Sequence, residues 1–435
     1  NLTQLFIPIC LETLLYMLAG MVDTLMLSSV NDQAVGAVGT ANTYIGIFII
    51  MFSVISSGMV AVMTQNIGAG RPGVAYQARQ LGLAFNAVLG IIMSLFLSLG
   101  AGTILSGVGV ADALMQPAKT YLQIVGGFCI LNALIPICSS YLRAFGFSKE
   151  PLYASIIGNV INFCLNAFFL FVLHKGVAGV ATATVISRII NLVIVVLLGA
   201  VLVKAKQHPE RESNRAVMGQ IIRIGLPSAC ETAIYNVSMT LVIRFLNQMD
   251  AQGLNVTARS YTMQITNFSY CVGAALAQAN AIMTGWHIGA KEYDACDRGT
   301  RKAAIIGVIV AVILETMFAL CSGWIMQLFS KDPQMVSLVG KLLAIDIVLE
   351  MGRVTNLVYG QALKTSGDAV FPVVMGACFM ILCSVGGTYL FGIRLGLLAV
   401  GAYIGMAGDE CVRAVGMYLR WKSGKWKEKG LVKSR

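Results

Sequence analysis

Five carboxylates, Glu12, Asp23, Glu231, Asp346 and Glu350, interrupt stretches that are otherwise almost wholly apolar. An ionisable side chain at bilayer depth is costly, so each is a candidate to hold a proton or a cation; the competing reading is an internal ion pair or a polar brace. Glu12 and Asp23 stand eleven residues apart, three helical turns plus about 20°, so one helix carries both toward one surface, roughly 16 Å apart along its axis. Asn159, Asn162 and Asn166 form a polar stripe, answered by Thr184, Arg188 and Asn191 at the same spacing. Such residues bond across helices or line a cavity. Glu231, Tyr235 and Ser238 share a face, as do Asp346, Glu350 and Arg353. A Glu three residues before an Arg pairs with it along a helix, so Glu350 and Arg353, with Asn356 beyond, are expected to brace, while Asp346 belongs with the polar cavity. Met239, Met263, Phe268 and Tyr270 are candidates for substrate contact, because methionine repacks around varied shapes. Set against the nearby in-span bases Arg188, Arg244 and Arg353, with Arg413 a further one in the last stretch, the five acids are in excess, which predicts a cavity attractive to cations.

The elements that must position these groups are membrane helices. The chain has 435 residues, 57% hydrophobic and 12% charged, against about a quarter charged in a soluble domain. Apolar stretches of about 20 residues fall at 5–29, 38–65, 80–106, 120–143, 152–173 and 178–203, then at 221–248, 256–286, 300–328, 335–361, 372–391 and 398–420. The fold class is therefore an all-α polytopic membrane protein of twelve transmembrane helices. Residues 1–203 make an N-terminal six-helix lobe, 204–219 a polar linker that reads as a hinge, 220–420 a second six-helix lobe, and 421–435 a basic tail. Lys and Arg accumulate on cytoplasmic loops. About 21 lie on the side of the linker and tail against about 6 on the other, Arg259 among the latter, so both termini are expected in the cytoplasm and the chain in the inner (plasma) membrane. The first stretch lacks a basic flank and is too long for a signal peptide; a short leader upstream of Asn1 is expected.

Several functions are excluded by what accompanies this pattern. The net charge of +11 follows the membrane sides rather than a soluble basic face, so the tail is expected on anionic lipid headgroups and no nucleic-acid partner is called for. His174, His208 and His287 are scattered and the eleven cysteines form no Cys-x-x-Cys, so no metal site and no cofactor are expected. No nucleophile-and-base motif supports an enzyme. The run Gly68-Ala-Gly70-Arg71-Pro72-Gly73 lacks the order of a phosphate loop and reads as a tight turn. The energy source is then an ion gradient, H+ or Na+.

The two halves repeat. Ile7-Pro8-Ile9-Cys10-Leu11-Glu12-Thr13 matches Leu226-Pro227-Ser228-Ala229-Cys230-Glu231-Thr232, and Leu142-Arg143 to Gly146 matches Leu363-Lys364 to Gly367. A duplicated unit with an even number of spans enters the bilayer twice in the same sense, so its pseudo-two-fold axis runs along the membrane normal, an arrangement suited to alternating access. With Val22-Asp23-Thr24, Gln65-Asn66-Ile67-Gly68-Ala69-Gly70-Arg71, Leu142-Arg143-Ala144-Phe145-Gly146 and Glu350-Met-Gly352-Arg353-Val-Thr-Asn356, the chain resembles the prokaryotic multidrug and toxic compound extrusion (MATE) family along its whole length. The resemblance implies a monomeric antiporter exporting small organic, cationic compounds for H+ or Na+. It places ion coupling on Asp23 and, in some members, on Glu231, with Glu12 as the repeat mate of Glu231. Asn166 stands where the family often has an aspartate, which removes a second first-lobe carboxylate. The alternative is a flippase for lipid-linked saccharides, whose relatives usually have fourteen spans and basic cavities.

Overall fold

The structure is a computed structural model and describes residues 1–432. Those residues form helices and turns, and the first half comprises α1 (Leu2–Ser28), α2 (Asp32–Gly68), α3 (Pro72–Gly107), the pair α4 (Asp112–Gly127) and α5 (Ile130–Ala144), α6 (Lys149–Ala167) and α7 (Gly176–Leu202). The second half comprises α8 (Asn214–Met249), α9 (Leu254–Gly289), α10 (Tyr293–Leu320) with the short α11 (Ser322–Met326), α12 (Pro333–Ser366), α13 (Val370–Phe379) and α14 (Ala399–Lys422). Three rods are not uniform: α4 and α5 form one rod bent by 44°, and α6 continues to Val172 and α13 to Arg394 through π-helical turns. Among the described residues these elements make twelve rods, six in each lobe.

Seven helices are long and apolar enough to cross a membrane, eight with the bent pair counted as one. The rods outside that test, α8, α9, α12 and α14, include those that carry the buried or half-buried charges Arg259, Glu350, Arg353, Glu410 and Arg413. Those charges are turned into their own lobe, so composition alone under-counts the spans.

The chain divides into two compact units between Leu226 and Pro227, inside α8. The linker is not a free hinge. Arg71 pairs with Glu212 at 2.6 Å, the Gln77 side chain accepts from the Glu212 amide and donates to Asn214, and Arg211 donates to the Gly73 carbonyl, so the segment is strapped to the start of α3. The first turns of α8 then meet α2 backbone to backbone at Gly58 and Gly225. Small residues permit such close crossings in membranes, and Gly352 on α12 does the same against α14.

The repeated motif ends have a local cause. Gly146 and Gly367 both take positive φ, and the next amide returns to Leu142 or Leu363 respectively, the left-handed helix stop that favours glycine. Each stop leaves a base, Arg143 or Lys364, in the last turn. In the Gly68 and Gly289 turns the left-handed residue is Gly70 in the first lobe and Lys291 in the second.

Part of the tail packs on protein. Trp421 and Trp426 stack at 4.0 Å, both buried, and the Trp421 indole donates to Asp297, which folds the segment onto the second lobe. Residues 433–435 of the expected tail lie outside the described residues.

Candidate functional site

In the first lobe the asparagine stripe of α6 faces α1. Asn166 donates to one Asp23 carboxylate oxygen at 2.7 Å and Asn162 to the other at 3.4 Å. Asn166 thus occupies the expected acid's place as a donor to the remaining carboxylate. The charge of Arg188 also reaches Asp23, whereas the Thr184 hydroxyl is spent on its own helix at the Val180 carbonyl. Asn159 sits half-buried, with no hydrogen bond to Asp23. The stripe therefore converges on Asp23 through two of its three members.

Glu12 and Glu231 are each engaged. Arg143 pairs with Glu12, Ser155 donates to the other Glu12 oxygen, and Lys364 pairs with Glu231 at 2.6 Å. The repeat places the same ion pair in both lobes, an acid early in the first rod held by a base from a glycine-stopped helix end. Of the two readings open for these acids, an ion site or an internal ion pair, the geometry has each of them in an ion pair. The reason lies in the partners: bases near 143 and 364, counted as loop charges, are brought inward where the helices end.

The second lobe contains a cavity of about 420 Å³. Arg259, Met263, Thr266, Asn267 and Tyr270 line it from α9, one helical face by their spacing. Tyr235 and Met239 of α8 and Asp346, Arg353 and Asn356 of α12 also border it. Phe268 does not, since it lies about 180° around α9 from Arg259 and is exposed. The wall departs from the expected acid excess: among the described residues Arg259, Arg353, Lys364 and Arg413 face it, against Glu231, Asp346 and Glu410.

Three of the four bases are matched. Lys364 has Glu231. Arg413 bridges Asp409 at 2.9 Å and Glu410 at 3.0 Å. Arg353 donates to Glu350 at 2.6 Å and lies 3.7 Å from Glu410, and Asn356 donates to Glu410 at 3.2 Å. Arg259 has no carboxylate partner among the described residues; its contact is the Met239 sulfur at 3.6 Å and its Nε is unpartnered.

Behind the wall Glu315 of α10 joins Asp346 and Glu350, with one oxygen of each within 4.8 Å of the others. All three are buried, and both Glu315 oxygens, Asp346 Oδ2 and Glu350 Oε2 lack partners. The buried hydroxyl of Ser269 stands beside Glu315. Three oxygens so spaced surround a point at most about 2.8 Å from each, near the ligand distances of hard cations. Histidine spacing gave no hint of this arrangement. Glu315, Asp409 and Glu410 are legible in the sequence as acids inside apolar runs; Arg259 counts there among the charges of one membrane side although the 256–286 stretch contains it, and α9 buries it.

The Glu350–Arg353 pair carries a stability prediction. Removing one member of a buried ion pair costs about 3 to 5 kcal/mol, so Arg353→Ala should lower yield and the thermal midpoint in detergent, and Glu350→Gln/Arg353→Met should recover part of the loss. An Arg353→Ala protein that unfolds at the parent temperature and loses transport alone would show that the pair does not brace.

Carboxylates at membrane depth in both lobes, a methionine-bearing cavity and a duplicated six-rod unit are the parts of a transporter, and relatives carry the same plan. The chain is 33% identical over 99% of its length to “Uncharacterized transporter YisQ” of Bacillus subtilis (strain 168), covering 96% of that protein. It is 23% identical over 99% of its length to “Probable multidrug resistance protein NorM” of Thermotoga maritima, covering 94% of it. A solved outward-facing structure of a multidrug resistance MATE family transporter of the MOP superfamily superposes with a TM-score of 0.89 at 17% identity, covering all of this chain and 96% of that one. The MatE family model matches residues 8–168 and 227–390, one match for each copy of the repeat; this chain belongs to that family, the multidrug and toxic compound extrusion transporters.

Proposed function

We propose that the chain is a secondary antiporter that exports bulky organic compounds in exchange for H+ or Na+ by alternating access. The observation that carries this reading is the buried trio Glu315, Asp346 and Glu350, which holds more carboxylate than Arg353 neutralises and leaves four oxygens unpartnered. Charge of that kind inside a membrane lobe calls for a proton or a cation, and an ion whose presence favours one packing over another drives a two-state cycle. Asp23, with Asn162 and Asn166 as donors, supplies a first-lobe site of the same kind. Glu12 and Glu231, each already paired, are read as braces. Loop charge supports cytoplasmic termini in the plasma membrane. The twelve rods weigh against the flippase reading. Support for a cationic cargo is confined to the unpaired acids, because the second-lobe wall carries more bases than acids.

Reconstituted vesicles with an imposed pH gradient, and separately a sodium gradient, test this. The parent protein should move an organic dye against its own gradient under one of the two, and Asp23→Asn, matched in size, should fold and bind dye but lose the uphill movement. Dye flux indifferent to both gradients would end the antiport reading; uphill export by Asp23→Asn at the parent rate would remove Asp23 from coupling.

A further inference from the structure

We infer that the second-lobe cavity recognises an anionic group on an amphiphilic organic ligand, with Arg259 as the residue that binds it. This inference rests on the transporter reading for its biological sense and names a substrate class for that cavity. Arg259 is 7% exposed, and the part of it that is reachable faces the cavity. It differs from every other base on that wall in having no carboxylate within ion-pair distance among the described residues. Its Nε is buried without an acceptor, and the thioether of Met239 is a weak one. A guanidinium kept out of water and left unpaired is unfavourable unless a counter-charge arrives. Its planar fork matches a carboxylate, sulfonate or phosphate through parallel donors.

The surroundings say what else the ligand has. Met239, Met263, Met380 and Met406 border the same cavity, unbranched and polarisable side chains that adapt to varied apolar shapes, and Tyr270 adds a ring that Arg353 covers at 5.6 Å. Lys364, Arg353 and Arg413 do not compete for the anion, because each is occupied by an acid of the lobe. Asp346, the one member of the trio that borders the cavity, offers an anion no counter-charge, so the acidic group is left to Arg259 and the apolar body to the methionines. The ligand is therefore an acid or a zwitterion with a bulky apolar part, in place of the simple cation expected from the count of acids.

The test uses the purified full-length protein in a non-ionic detergent free of lipid phosphate, with dansylglycine and dansylglycinamide, which differ only in the carboxylate. Fluorescence titration of the parent should show the acid binding about tenfold or more tighter than the amide, the range of a charge-assisted hydrogen bond. Arg259→Gln should bring the acid down to the amide without changing the amide, and Arg259→Lys should keep part of the preference. Equal binding of acid and amide by the parent overturns the inference without any variant, as does an undiminished preference in a folded Arg259→Gln protein. Displacement of the acid by inorganic phosphate at concentrations equal to the probe assigns the pocket to a free anion and also overturns it. The equilibrium needs no gradient. A protein that prefers the acid but moves no dye in vesicles leaves this subsite standing and removes the transporter reading, and one that moves dye without the preference does the reverse.

Discussion

Glu315→Gln and Asp346→Asn, made singly, are expected to yield folded protein that no longer exports its cargo against a gradient. Each change keeps the side chain's size and removes one carboxylate from a buried group whose oxygens lie within 4.8 Å of one another. The loss should exceed the 10–100-fold in ion affinity that changes to groups merely supporting a metal ligand cost. Stability should move the other way: Glu315 is fully buried with neither oxygen partnered, so an uncharged amide of the same size removes a group whose ionised form is costly to bury, and the thermal midpoint should hold or rise. If sodium is the coupling ion, the rise in thermal midpoint that sodium confers on the parent should vanish in both variants. Both proteins exporting at the parent rate, with the sodium response intact, would take the trio out of the ion cycle.

Gly225→Val should abolish correct folding. A Cβ at Gly225 would stand 1.6 Å from the Val54 carbonyl oxygen, and one at Gly58 would stand 1.9 Å from that of Ile221. Both obstacles are backbone, so no rotamer change relieves them and α2 must separate from the first turns of α8. Overpacking that side chains absorb costs about 1 to 3 kcal/mol, and a forced helix separation should cost more. Size-exclusion chromatography after solubilisation reads the result: Gly225→Val should aggregate or fail to accumulate, whereas Gly219→Ala, on the same helix with nothing within 4 Å, should elute as the parent does. A monodisperse Gly225→Val protein would mean that this helix crossing is dispensable.

What the sequence determined by itself was whatever depends on one helix or on copying. Twelve rods follow from apolar stretches bounded by turn and charge clusters, and the two lobes from self-similarity. The Glu350–Arg353 contact follows from a three-residue spacing that places both side chains on one helix face. The glycine stops at Gly146 and Gly367 were visible as a repeated motif whose backbone reason is positive φ. Tertiary structure decided what faces what. Glu12 and Arg143 lie 131 residues apart, and Asp23 and Asn166 143 apart; nothing in either helix alone specifies the rotation that brings them together. The same holds for Glu315, which completes an acidic group with two residues of α12, and for Arg259, which counts only toward the charge of one membrane side until α9 is seen to turn it toward a cavity. Periodicity specifies a face within a helix, but the partner of that face depends on packing among rods, and there small residues such as Gly58 and Gly225, silent in any count of charge or hydropathy, set how closely two helices approach.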